Sequence, residues 1–237
     1  MCAGRFFDYT GRYDRNFNAI SREEQMMLKK KSVCVIGCGG LGGGVIENLA
    51  RIGVGRLTIA DGDVFDRTNL NRQVFSNENN LGKPKAYETA RQIREINSEA
   101  EIIPHEIMLD SMNGEKLVAG HDVVVDALDN IPSRKVLEAL CENAGIPLIH
   151  GAIAGWTGQV AVVRPGDRLM EKIYGNFEDS GEAGAEKTAG NPAFTPAVIS
   201  GIQTAEALKI LLNREETLAG RLLMIDLMEH RYEIIEF

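Results

Sequence analysis

The stretch SVCVIGCGGLGGGVIENLARIGV, residues 32–54, decides the fold. Its opening SVCVI is a largely β-branched apolar run of the kind found in strands buried on both faces of a parallel sheet. Gly37, Gly39, Gly40 and Gly42 then form a glycine-rich turn, and VIENLARI continues as an amphipathic helix that stops at Gly53. The next run, RLTIAD (residues 56–61), is a second buried strand ending at Asp61. Together they make a β-α-β unit with its glycine turn at the carboxyl end of the first strand, the arrangement that places a helix N-terminus over a ligand phosphate.

Outward from this unit, strand and helix signals keep alternating. Residues 21–31 (SREEQMMLKKK) carry a Ser-x-x-Glu capping box and end on three lysines, which predicts a short helix with charges suited to its dipole. Residues 62–82 are rich in Asn, Asp and Gly and predict a long ordered loop, a feature that in a compact domain usually has a task. Lys83 to Ile96 predicts a helix with proline in its first turn. EIIPHEI (101–107) predicts a strand, Asp110 to Ala119 a short helix and HDVVVDAL (121–128) another buried strand. Ser133 to Ala144 predicts a helix stopped by Gly145, with PLIHGAI (147–153) and GQVAVVRP (158–165) as strands after it. Residues 166–191 are glycine- and acid-rich, show little periodicity and predict a mobile or lid-like loop. Pro196 to Leu212 predicts a long helix with an apolar face, and residues 221–237 a closing antiparallel hairpin. The expectation is an α/β architecture: a mainly parallel sheet with helices on both faces, plus C-terminal antiparallel strands, in a single domain over residues 1–237.

Composition narrows the function classes. Hydrophobic residues make up 44% of the 237, enough for a full core, and no apolar run reaches membrane-spanning length. A net charge of −8 argues against a general nucleic-acid binder, whose affinity rests on clustered Lys and Arg. Cys2, Cys34, Cys38 and Cys141 are scattered without CxxC spacing, so they read as reduced thiols of a cytoplasmic protein and no zinc is expected. His105, His121, His150 and His230 each stand alone in the sequence and read as structural.

The chemistry-bearing residues follow the glycine turn. Asp61, ending the second strand, can accept hydrogen bonds from a ribose hydroxyl, which with the turn points to an adenine nucleotide without separating NAD from ATP. The loop D-G-D-V-F-D-R-T-N-L-N-R-Q (61–73) and Lys85 beyond it separate the two. Asn69, Arg72 and Lys85 offer fixed donors for a triphosphate, which an NAD site does not need. Asp126 and Asp129, at the end of the HDVVVDAL strand, belong by topology to the same crevice. Asp129 suits magnesium, which takes one or two carboxylates plus substrate phosphates; Asp129 and Asn130 equally suit a helix N-cap before Pro132.

GCGGLG, the 61–73 loop, G-K-P-K and D-A-L-D-N, in that order, resemble the ThiF/MoeB/HesA family, which is similar to the adenylation domains of ubiquitin-activating enzymes and has a Rossmann-like fold. Arg12-Tyr13-Asp14-Arg15 resembles the family's opening R-Y-x-R segment, and the closing strands match too. The resemblance implies ATP-dependent adenylation of the C-terminal diglycine carboxylate of a small ubiquitin-like sulfur carrier, with release of pyrophosphate. It assigns Gly40 to the nucleotide, Asp61 to the ribose, Asn69, Arg72 and Lys85 to the phosphates, and Asp129 to Mg2+. Gly37, Gly39, Gly42, Asp63, Gln73 and Asn130 complete the nucleotide-facing set. Arg15 is implied to reach the neighbouring subunit's phosphates in a homodimer. Two departures stand out: the paired CxxC zinc motifs of many relatives are missing, and Glu186-Lys187-Thr188-Ala189-Gly190 has no cysteine where several relatives carry one. A covalent transfer step is therefore not expected, and a separate sulfurtransferase becomes the implied partner. An adenylating relative acting on a peptide, a small molecule or a tRNA base, and a non-catalytic scaffold, remain the alternatives.

Overall fold

A computed structural model describes residues 11–175 and 188–237. The chain forms α1 (Arg22–Leu28), β1 (Ser32–Ile36), α2 (Gly40–Ile52), β2 (Arg56–Ala60), α3 (Lys85–Ile96), β3 (Glu101–His105), α4 (Gly114–Val118), β4 (Val123–Asp126), α5 (Ile131–Ala144), β5 (Leu148–Ala154), β6 (Thr157–Val163), α6 (Leu169–Tyr174), α7 (Phe194–Leu211), β7 (Arg221–Asp226) and β8 (Arg231–Glu236). The eight strands join one sheet in the order β3-β2-β1-β4-β5-β6-β7-β8. The pairs from β3 to β5 are parallel, and those from β5 to β8 are antiparallel. The mixed sheet expected from the sequence is the one observed.

Because successive side chains in a strand point to opposite faces, the fully buried β1 feeds two cores. Val33 and Val35 join the side chains of α2, α3 and α7 on one face, while Cys34 and Ile36 join those of α4, α5 and α6 on the other. This two-sided burial is why SVCVI of β1 and the VVV run of β4 are almost continuously apolar. Strand order reverses between β1 and β4, and their carboxyl ends, beside Gly37, Asp61 and Asp129, are where such a topology places its ligand crevice.

Local signals set the helix ends. Ser21 caps α1 through a capping box with Glu24, and Asn130 caps α5 by accepting the Ser133 N–H at 2.9 Å. Two differences from the sequence reading concern short elements. The expected irregular stretch over 166–191 contains α6, whose Leu169 and Met170 are buried beside α5. Six residues are too few to display a helical period; residues 176–187 of that stretch lie outside the described residues. Proline precedes α3 as its N-cap instead of entering the first turn.

At Gly42 the first turn of α2 crosses the end of β1 so closely that a Cβ would stand 1.8 Å from the Gly37 carbonyl oxygen. Gly201, in α7, has open space instead. Gly42→Ala is expected to lower stability by about 1–3 kcal/mol through overpacking. Gly201→Ala should raise it by about 0.5–1 kcal/mol through helix propensity. Urea denaturation midpoints moving in opposite directions for the two variants would bear this out; equal shifts would contradict it.

Candidate nucleotide site

The glycines of the turn fall into two groups. Gly37, at φ +101°, and Gly42 are packed against the protein itself: a Cβ on Gly37 would meet the Ala127 carbonyl oxygen at 2.5 Å, and Gly42 rests on Gly37. Gly39 and Gly40 are different. A Cβ on Gly39 would find only the Gln73 amide, at 3.6 Å, and one on Gly40 only ordinary contacts with Pro196 and Arg72, at 3.4 and 3.6 Å. Neither has a positive φ, so the protein's own packing does not demand glycine at 39 or 40. They bare the backbone at the N-terminus of α2, where unpaired N–H groups and the helix dipole favour an anion.

Asp61 organises the loops beside this turn. Its Oδ2 accepts the Cys38 N–H at 2.7 Å and its Oδ1 the Asp63 N–H at 2.8 Å. Burial pushes its carboxyl above the ordinary range, opposed by the nearby Lys85 ammonium and by those two N–H bonds. A carboxylate oxygen has a second lone pair, so Asp61 can still accept from a ribose hydroxyl. Lys85, 7% exposed at the start of α3, donates from Nζ to the exposed Asp63 carboxylate at 2.9 Å.

The 61–73 loop is internally braced. A single 3-10 turn over Arg67–Asn69 is closed by Asp66, which accepts from Thr68, and by Asn69, whose Oδ1 accepts the Asp66 N–H at 2.9 Å. Asn69 therefore has only its Nδ2 left as a donor to a ligand. Arg72 stands beside Gly40 and donates from Nη1 to Thr68 O and Asn71 Oδ1. Gln73 is buried, and its Oε1 has no hydrogen-bond partner. Asn71 ties the loop to the segment before α7 through Asn191 O at 3.0 Å.

On the other side of the crevice, Asp126 and Asp129 part company. Topology leads one to expect both there, but the Asp126 carboxylate is fully buried, accepting from Leu128 N–H at 2.9 Å and bonded to His150 Nδ1 at 2.7 Å. Asp129 is exposed, three residues on, with Oδ1 accepting from Asn130 Nδ2 at 3.2 Å. Asn130 is thus the cap of α5, as expected of the Asp129-Asn130 pair, and it also braces Asp129. One exposed carboxylate fits a magnesium ion whose other ligands come from phosphates and water. Among the described residues no group of three or more His, Cys, Asp or Glu side chains is arranged to hold a metal without them.

Arg15 is not brought to these residues within one chain. It is exposed on a segment anchored at the far end of α3, where Arg12 donates to Ile96 O and Asn97 donates to the Tyr13 hydroxyl. The 12 residues of α3, about 18 Å of helix, separate that anchor from Lys85.

The expectation that each histidine stands alone fails for two. His121 bonds Thr58 and Val118 O, and His150 lies between Asp126 and the Tyr174 hydroxyl. Nothing local in the sequence marks Tyr174 or Arg134 as their neighbours. Cys34, Cys38 and Cys141 are buried, and burial pushes their thiols up, that of Cys141 to about 12. Among the described residues no helix is long and apolar enough to cross a membrane.

With this geometry in view, the ThiF family profile matches residues 13–237. The SAMP-activating enzyme E1 of Haloferax volcanii is 38% identical over 228 residues, covering 95% of this chain and 84% of that protein. The sulfur carrier protein adenylyltransferase of Thermus thermophilus is 34% identical, covering 89% of this chain and 80% of its own length. The adenylyltransferase and sulfurtransferase MOCS3 of Xenopus laevis is 35% identical over 90% of this chain, which spans only 47% of that longer protein. Among solved structures, E. coli MccB with ATP superposes with a TM-score of 0.80 at 23% identity, covering 98% of this chain and 72% of that one, a likeness of fold. Its relatives make the chain an adenylyltransferase. The chain belongs to the ThiF family.

Burial holds the His150 imidazole below its ordinary titration range, against the pull of Asp126. The unfolded chain therefore takes up that proton first as pH falls. The contribution is complete above the unfolded pKa of about 6.5 and is lost below it, by up to about 1.4 kcal/mol per pH unit. His150→Gln should be less stable at pH 7.5 yet lose stability less steeply between pH 7 and 5.5. Parallel urea-midpoint curves for the two proteins would contradict this.

Proposed function

We propose that the chain uses ATP and Mg2+ to adenylate the C-terminal diglycine carboxylate of a ubiquitin-like sulfur carrier, releasing pyrophosphate. The observation that carries the reading is the pair Gly39 and Gly40, glycines the protein's own packing does not demand, beside Arg72, Lys85 and Asp61. A phosphate-bearing ligand against that bare backbone accounts for both. The names of the Haloferax and Thermus relatives favour a carrier protein as acceptor over a peptide, small molecule or tRNA base.

In this reading Asp61 holds the ribose, with Asp63 and Gln73 beside it, and Asn69, Arg72 and Lys85 hold the phosphates. Arg72 offers a planar fork and Lys85 a point charge. Asp129 would hold the magnesium ion, which when bound neutralises charge on the phosphates. A C-terminal carboxylate, with a pKa of about 3.5, is already ionised at neutral pH and needs no general base. The protein's task is to bring two anions together, keep the carboxylate in line with the α-phosphorus, and offset charge on the leaving pyrophosphate. Arg15 reaches the phosphates only from a second copy, so the competent species is a homodimer, each copy one adenylation domain. With the thiols of Cys34, Cys38 and Cys141 buried, the acyl-adenylate passes to a separate sulfurtransferase without a covalent link at any of them.

ATP–pyrophosphate exchange tests this. Exchange should require a carrier ending in Gly-Gly and stop when the diglycine is deleted. Arg72→Ala and Asp129→Ala should each abolish it with the circular dichroism spectrum unchanged. No exchange with any diglycine carrier, or exchange surviving in both variants, would sink the proposal.

A further inference from the structure

Arg134 lies one helical turn beyond the α5 cap and is 4% exposed, an expensive place for a guanidinium. It does not complete the cap, since Asn130 already accepts the Ser133 N–H. Instead its Nη2 donates to the Leu128 carbonyl at 2.5 Å and its Nη1 to the Tyr174 hydroxyl at 3.2 Å, while its Nε stands 3.7 Å from Asp126 Oδ2. The Tyr174 hydroxyl also accepts from Gln159 Nε2 at 2.7 Å, and these two donors stand 3.1 and 3.0 Å from His150 Nε2, which accepts. His150 then carries its proton on Nδ1 and donates to Asp126 Oδ2 at 2.7 Å. Asp126 closes the circuit by accepting the Leu128 N–H, and Gln203 holds the Asp126 carbonyl at 2.8 Å.

Both polar groups of the Leu128 backbone are therefore held by buried side chains: its N–H by the Asp126 carboxyl and its carbonyl by the Arg134 guanidinium. The next residue is Asp129, braced on its far side by Asn130, which is itself fixed as a helix cap. We propose that Arg134 is a positioning residue for the reaction, acting through the Leu128 carbonyl to aim the exposed Asp129 carboxylate, with Tyr174 holding the guanidinium in plane. Lysine cannot replace it, because a single ammonium on a flexible stem does not reproduce the planar fork that spans Leu128 and Tyr174.

This rests on the reading of Asp129 as the magnesium carboxylate, and binding measurements keep the two claims apart. The chain is titrated calorimetrically with ATP, with and without Mg2+. Wild type should bind ATP more tightly with the ion, and Asp129→Ala should lose that gain. Arg134→Lys should lose about tenfold or more of magnesium-dependent affinity, as losing a residue that orients a metal ligand does, with magnesium-free binding unchanged. Tyr174→Phe should show the same loss in smaller measure, and it decides the matter if Arg134→Lys does not fold. The Asp129→Ala/Arg134→Lys double variant should bind no worse than Asp129→Ala alone. A full magnesium gain in Arg134→Lys or, where that variant does not fold, in Tyr174→Phe, with Asp129→Ala lacking it, overturns the positioning role. So does a further loss in the double variant. A full gain in Asp129→Ala overturns the underlying reading of Asp129.

Discussion

The site hangs on one steric contact, the first turn of α2 resting on the carbonyl of Gly37. Only a residue without a Cβ lets the helix come that close to the end of β1. The same closeness brings Gly37 against Ala127, so the loops leaving β1 and β4 touch. Asp61 adds the third strand end by gripping the Cys38 N–H. The helix N-terminus, the carboxylate after β2 and the loop leading to Asp129 thus converge through contacts a few atoms wide. Substitutions at Gly37 or Gly42 would act on the fold, whereas those at Gly39 or Gly40 would act first on whatever occupies the crevice.

Charges around the crevice are handled in two ways. Asp126, Arg134 and His150 are buried, each with several partners, as burial of ionisable groups requires. Lys85 is paired instead with an Asp63 side chain that is 59% exposed. Water screens that pair, so it holds the ammonium in place weakly. In the proposed reaction the buried set gives rigidity and the half-exposed set gives charge that an arriving phosphate can recruit.

The β-α-β core was legible because its signals are local: an apolar run buried on both faces, a glycine turn, and a helix with an αL glycine at its end. The antiparallel closing hairpin and the capping residues Ser21 and Asn130 were legible for the same reason. The buried network was not. Asp126, Arg134, His150, Gln159 and Tyr174 come from β4, α5, β5, β6 and α6, and only sheet order brings them together. For that reason Asp126 seemed a partner of Asp129 when its carboxylate is turned into the protein. Helix α6 escaped notice because it is too short to show a period. Arg15 could be picked out by its motif, yet its separation from Lys85 by the length of α3 is visible only in three dimensions.

The buried thiols and the bare glycine turn bear on the same chemical question, where the activated carboxylate goes after it forms. On the proposed reading the chain joins an adenylyl group to a diglycine carboxylate. Mass spectrometry of a diglycine carrier incubated with the chain, ATP and Mg2+ tests it most directly. The expected product is carrier bearing an adenylyl group on its C-terminal carboxylate, with no carrier linked to Cys34, Cys38 or Cys141. Carrier that stays unmodified, or that appears bonded to one of those cysteines, would contradict it.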